Sequence, residues 1–113
     1  MCRRGDIYYA DLGVPGGSRQ SGLRPVLVVS NDTANAHAPV ITVVPLTSKR
    51  KAMHMPTHVL LPRQAATGLK RTSVALVEQV TTIDKAQLQN QTGRVLEKVA
   101  QALQVQLGIF PKW

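Results

Sequence analysis

Arg24 stands at the end of a loop whose residue types suit contact with a phosphate. Gly13 to Leu23 carries four glycines, one proline and two serines with no apolar periodicity. That is long for a hairpin connection, and such loops are frequently functional. Gly16 and Gly17 let backbone approach an anion closely, Ser18 and Gln20 are neutral donors, and Arg24 can grip a phosphate with two parallel hydrogen bonds. On local chemistry alone, an arginine before a strand also reads as an ordinary surface charge.

Other chemistries lack their parts. The acids are Asp6, Asp11, Asp32, Glu78, Asp84 and Glu97, spread along the chain rather than converging as metal ligands do. His54 and His58 are four apart, a spacing that pairs imidazoles only on a helix, and Pro56 between them opposes one, so solvent-exposed histidines are expected and no metal site is read. Walker, Gly-x-Gly-x-x-Gly and Gly-x-Ser-x-Gly patterns are absent, so no nucleotide or other cofactor is implied. Cys2, the one cysteine, excludes an internal disulfide and reads as an incidental thiol at a terminus. RNA, by contrast, carries its own nucleophile in the 2′-hydroxyl. Cleaving it needs a cation for the pentacoordinate phosphorane, neutral donors to orient the phosphate, and assisted proton transfer at the 2′- and 5′-oxygens.

The elements that would position these residues are mostly strands. Ile7 to Leu12 reads as a first strand after a Gly-Asp turn signal. Pro25 to Val29 is an unbroken apolar run ending at the turn-forming Asn31-Asp32, as expected of a strand buried on both faces. Val40 to Leu46 repeats that pattern, and Pro45, which cannot donate to a ladder, implies a bulge or an edge just before Thr47-Ser48. Thr57 to Leu61 and Ser73 to Val80 supply two more strands. After Asp84, a candidate N-cap, Lys85 to Gln89 turns helical, and a longer helix is predicted from Arg94 to Leu107, with Thr92 as its cap and Gly108 as its stop. Leu96, Val99, Ala100, Leu103 and Leu107 form its apolar face. Five short strands followed by C-terminal helices suggest a mainly β (α+β) fold, a strongly curved antiparallel sheet or small barrel with helices packed on it.

The 113 residues fit one domain, 1–113, with no repeat, linker or low-complexity segment. A hydrophobic share of 43% is globular, and no apolar run approaches the ~18 residues of a membrane span. The N-terminus turns polar before any apolar stretch develops, so a secretory signal is missing and the expected location is the cytoplasm. Fourteen Lys and Arg against six Asp and Glu give a net charge of +8. The cations cluster at Arg3-Arg4, Arg19 with Arg24, Lys49-Arg50-Lys51 and Lys70-Arg71. Clustering favours a polyanionic partner. None of these clusters sits on an amphipathic helix, so a membrane surface is not the expected partner.

Several segments together resemble a known family. Arg4-Gly5-Asp6-Ile7-Tyr8, Gly17-Ser18 with Gln20, Arg24-Pro25-Val26-Leu27-Val28-Val29 with Asn31-Asp32, Pro45-Leu46-Thr47-Ser48, Leu76-Val77-Glu78-Gln79 and Thr82-Ile83-Asp84-Lys85 resemble, in order and spacing, the MazF/PemK toxins of type II toxin-antitoxin systems. The resemblance spans nearly the whole chain. It implies an SH3-like or CcdB-like barrel, a homodimer, and cofactor-free cleavage of single-stranded RNA at short sequences to 2′,3′-cyclic phosphate and 5′-hydroxyl ends. It also implies an antitoxin whose acidic segment occupies the RNA groove. Position by position, Arg24 matches the family's catalytic arginine and Thr47 its catalytic hydroxyl residue. Glu78 matches an acid that transfers protons in some members and is structural in others. Ser18 and Gln20 match the loop near the scissile phosphate, and Arg19, Ser48, Lys49 and Arg50 are further expected RNA contacts.

Three positions depart from the common family pattern: Arg19 stands where many members have glutamate, Thr81 where they have arginine, and Thr72 where they have an acid. An acid that could assist proton transfer at position 19 is thus replaced by a cation, which is a poor base. Two other readings compete with the ribonuclease. One is a CcdB-like, non-enzymatic gyrase poison on the same fold; the other is a catalytically silent nucleic-acid-binding barrel.

Overall fold

The computed structural model describes residues 2–14, 16–17, 19–49, 55–95 and 99–108. Within them run seven strands: β1 (Asp6–Asp11), β2 (Leu23–Val28), β3 (Val40–Thr47), β4 (His58–Leu61), β5 (Ser73–Leu76), β6 (Thr81–Asp84) and β7 (Leu88–Arg94). Two helices accompany them, α1 (Asp32–His37) and α2 (Ala100–Leu107), with single 3-10 turns at Val77–Gln79 and Lys85–Gln87. The strands form one antiparallel sheet in the order β4-β5-β3-β2-β1-β7, with β6 on β3.

The apolar runs in β2 and β3 are buried on both faces, as the sequence predicts. Leu27, Val44 and Leu46 join Ile7, Leu61, Val77 and α2 in one core cluster. Their strand neighbours Val26, Val28, Ile41 and Val43 point the other way, to a second cluster with Ala10 and Ile83. Cys2 belongs to that second cluster and is buried, so the terminal thiol is a packing residue. Burial, then the charge of Asp6, then that of Cys2 push the neighbouring Tyr8 phenol above its ordinary pKa.

Pro45 marks a change of partner. On one side of β3, β2 pairs as Val26↔Pro45, Leu27↔Val44 and Val28↔Val43. On the other, β6 pairs with residues Val40 to Val43, whereas β5 takes over at Leu46 and Thr47. The missing N–H therefore falls in the step between two ladders.

The sheet is strongly curved but not closed: among the described residues no ladder joins β4 to β7. The loop between β4 and β5 covers the gap. Arg94 N donates to the Ala66 carbonyl at 2.9 Å, and Thr92 Oγ1 donates to the Thr67 carbonyl at 3.0 Å. Glycine is what permits this approach. A Cβ on Gly68 would lie 1.9 Å from the Thr92 carbonyl oxygen, and one on Gly93 would lie 2.2 Å from that of Ala66.

Several elements differ from the sequence expectation, among them β6, a strand where none is expected. The strand expected over Ser73 to Val80 stops at Leu76 and gives way to the 3-10 turn. Asp84 does cap, with Gln87 completing a capping box, but the helix expected over Lys85 to Gln89 is one 3-10 turn, because Leu88 is drawn into pairing with Ala10 of β1. The helix expected from Arg94 begins at Ala100. Arg94 instead pairs with Asp6 in the sheet and bonds its carboxylate at 3.1 Å, and Thr92, its expected cap, lies in β7. Gly108 ends α2 at φ 68, as expected. Its core-facing stripe is narrower than predicted, since Leu107 is 61% exposed and Leu96 lies outside the described residues. Finally, Asn31-Asp32 opens α1, with Asn31 Oδ1 accepting from Ala34 N. Hydrogen bonds from Arg4 N and Asn35, helped by the nearby charges of Arg3 and Arg94, hold the Asp32 carboxyl below its usual range. That tether is complete near neutral pH and weakens as acid protonates Asp32.

Candidate active site

Arg24 and Thr47 come together through strand register. The β2–β3 ladder runs from Val28↔Val43 to Val26↔Pro45, and Arg24 and Thr47 each lie two residues beyond its last pair, at the same end of the two strands. On its other side Arg24 lies opposite Ala10 of β1. Its Nε donates to the Ser21 carbonyl at 2.9 Å, which fixes the guanidinium plane against the loop and leaves the two terminal nitrogens without a partner among the described residues. Thr47 is 5% exposed. Its Oγ1 accepts from Lys49 N at 3.2 Å, so its own proton remains available, and this short turn presents Ser48 and Lys49 at the surface. Ser18 and Arg50, the other expected contacts, lie outside the described residues.

Of the expected site residues, Arg24 and Ser48 line one depression and Arg19, Gln20 and Glu78 another, while Thr47 and Lys49 line neither. A cavity of about 210 Å³ is lined by Arg24 and Ser48 together with Tyr9, Lys70, Arg71 and Ser73. A second, of about 450 Å³, is lined by Arg19, Gln20, Glu78, Gln79 and Thr81. The loop leading to Arg24 runs from one to the other. It is pinned to the second by Gln20 N, which donates to Gln79 Oε1 at 2.8 Å. Arg19 curls back, its Nε donating to the Gly16 carbonyl at 3.4 Å. Arg19 and Thr81, two of the three departures, thus share one cavity although they lie far apart along the chain.

Glu78 is held rather than free. Its carboxylate accepts from Thr57 Oγ1 at 3.1 Å and meets His58 Nε2 at 2.7 Å. The His58 side chain is 4% exposed, which corrects the expectation of a solvent-exposed histidine; His54 lies outside the described residues. The reason is the β4–β5 hairpin, which pairs His58 with Leu76 and brings the 3-10 turn beyond it over the imidazole. Two buried polar atoms have no partner among the described residues, Gln20 Oε1 and His58 Nδ1.

Among the described residues, the acids are taken up by partners other than most of the cations. Asp6 takes Arg3 N and Arg94, Asp11 takes Gly13 N, Asp32 takes Arg4 N, Glu78 takes Thr57 and His58, and Asp84 caps its 3-10 turn. Among the described residues only His58 and Arg94 have an ion-pair partner, and no group of three or more His, Cys, Asp or Glu could hold a metal ion. No described helix is long and apolar enough to cross a membrane.

The site thus holds an arginine fixed by backbone, a hydroxyl at the same end of the neighbouring strand, and two further cations, Lys70 and Arg71, beside the arginine. The family model described as PemK-like, MazF-like toxin of type II toxin-antitoxin system matches residues 3–110, and the chain belongs to that family. It is 40% identical over 114 aligned positions to "Endoribonuclease EndoA" of Bacillus subtilis (strain 168), covering 97% of each chain. It is 36% identical over 113 positions to "Endoribonuclease MazF" of Staphylococcus saprophyticus, covering 96% of this chain and 93% of that one. Among solved structures it is similar to an endoribonuclease in complex with its cognate antitoxin from a mycobacterial species, with TM-score 0.79, 28% identity and coverage of 97% and 98%. The crystal structure of MazF from Deinococcus radiodurans shares the fold, with TM-score 0.77, 24% identity and coverage of 95% and 96%.

Two residues lining the smaller cavity, and one that holds Glu78 of the larger, are not evident from sequence. Lys70 and Arg71 form a charge cluster there, but only the fold brings them beside Arg24. His58 carries no signal either, because its spacing to His54 bears only on a helix, whereas its partner is Glu78 across a hairpin.

Proposed function

We propose that this chain is an endoribonuclease toxin that cleaves single-stranded RNA without a metal ion, at short sequences, through attack by the substrate's own 2′-hydroxyl. The 2′-oxygen bonds to phosphorus as its proton leaves, the bond to the 5′-oxygen breaks, and that oxygen takes up a proton. The products are a 2′,3′-cyclic phosphate and a 5′-hydroxyl. Arg24 stabilises the charge that accumulates on the phosphorane oxygens, and a preorganised cation is worth most there because it need not reorganise as the charge forms. Thr47 contributes its hydroxyl to the same phosphate, while Ser18, Ser48, Lys49 and Arg50 bind the strand around it. Arg19 and Gln20 contact bases in the larger cavity.

Glu78 acts on this centre through position. Bound by Thr57 and His58, it fastens the turn carrying Gln79, and Gln79 fastens Gln20, four residues before Arg24. The observation that carries the reading is the placement of Arg24 and Thr47 at the same end of the paired strands β2 and β3. Two relatives' endoribonuclease names and the +8 charge support it. By the same likeness, the protein works in the cytoplasm as a homodimer and is neutralised by a cognate antitoxin with an acidic segment. Mapping the ends of total RNA after brief incubation with the protein in excess EDTA tests the function. Cuts at a recurring short sequence with 5′-hydroxyl ends are expected. Binding without cuts would leave a silent RNA-binding protein instead.

A further inference from the structure

We infer that the cavity bounded by Tyr9, Arg24, Lys70 and Arg71 is a second phosphate subsite, which holds the phosphodiester next to the one being cut. This inference rests on the ribonuclease reading. Three cations line this small space, and no carboxylate does. Neither the Lys70 nor the Arg71 side chain bonds any described residue, and both are exposed. Three like charges around about 210 Å³ repel one another, and the described residues supply no counter-ion there. An external anion relieves that repulsion.

The backbone that carries these cations is fixed. Ser73 Oγ donates to the Arg71 carbonyl at 3.0 Å, and Arg63 N donates to Thr72 Oγ1 at 3.2 Å across the base of the same loop. Leu69 is buried in the core beneath Lys70. The cations therefore stand on an ordered wall. Ser48 and the Tyr9 phenol add neutral donors, the mixture that phosphate and sugar oxygens accept from. Arg24 belongs both to this cavity and to the Thr47 centre, so a strand with one phosphate at Thr47 can present its neighbour to Lys70 and Arg71. An acidic peptide could also answer the charge. RNA is favoured because the cavity is continuous with the proposed reacting centre through Arg24.

Contacts made equally in the ground state and the transition state change KM and leave kcat alone. Lys70→Ala, Arg71→Ala and the double variant test the subsite, with an RNA oligomer for turnover and its analogue carrying 2′-deoxyribose at the scissile nucleotide for binding. The double variant should raise KM about tenfold or more with kcat unchanged. The slope of log affinity against log salt should become shallower by about 0.7 for each phosphate that the variant no longer neutralises. Shortening the oligomer by one nucleotide on one side of the cut should remove most of the variant's effect. The subsite is refuted if wild-type protein cuts RNA but the double variant keeps its KM and salt slope. It is also refuted if kcat falls as much as kcat/KM, or if the variant loses only poly-glutamate binding. If wild-type protein neither binds nor cuts RNA, the ribonuclease reading and the subsite fall together.

Discussion

The cavity beside Arg24 and the cavity beside Glu78 differ in how their polar groups are balanced. The first holds three cations and no acid. The second holds one cation, a carboxylate already bound by Thr57 and His58, and a set of amides and hydroxyls, including the buried, unpartnered Gln20 Oε1. Uncompensated charge suits phosphates, which carry no sequence information, whereas neutral hydrogen-bonding groups suit base edges, which do. On the proposed function, the molecule separates gripping the strand from reading it. The loop between Arg19 and Arg24 joins the two, so one short segment carries both tasks.

The strongest way to break this division is Arg24→Ala. Removing the cation that faces the phosphorane should lower cleavage by at least ~100-fold while circular dichroism and the urea midpoint stay close to wild type. A folded variant with near-normal turnover would relocate the chemistry. Thr47→Ala should cost less, since a hydroxyl contributes no charge, although the freed Lys49 N–H should lower stability by about 1 kcal/mol. Equal losses at both positions would put the two on the same footing.

Glu78 sharpens the contrast. Glu78→Gln keeps an acceptor for Thr57 but abolishes proton transfer, so it should hold the rate within about tenfold; a general acid or base at this position would show a loss of about 100-fold or more. His58→Ala should destabilise the fold by about 1–3 kcal/mol, because it empties a buried site and strips Glu78 of a partner. Equilibrium urea unfolding measures it, and a neutral result would mean the pair is ornamental. The smallest effect on rate is expected from Arg19→Glu combined with Thr81→Arg, which exchanges charge within one cavity. That double variant should change the cleaved sequence more than the speed of cleavage, as read by end-mapping. An unchanged ranking of sites would make both residues surface substitutions.

Much of this is legible in the sequence where local pattern and tertiary demand agree. The apolar runs of β2 and β3, the N-cap at Asp84, the stop at Gly108 and the awkward Pro45 all follow from side-chain type. Legibility ends where pairing with a distant strand overrides a local preference. Lys85 to Gln89 and the segment from Arg94 look helical in isolation, yet Leu88, Thr92 and Arg94 are recruited into β7 by β1, which lies near the other end of the chain. The site divides the same way. Arg24, Thr47 and Glu78 follow from the family resemblance, and their neighbours Lys70, Arg71 and His58 depend on a hairpin and a loop that no spacing rule reveals.

The central claim is that RNA supplies the nucleophile and Arg24 the charge. Two oligomers of one sequence, differing only in a 2′-hydroxyl or a 2′-hydrogen at the scissile nucleotide, test it directly when incubated with the protein in excess EDTA. The all-ribose strand should be cut to a 2′,3′-cyclic phosphate while the deoxy strand binds and stays whole; cleavage of the deoxy strand, or loss of all cleavage in chelator, would contradict the mechanism.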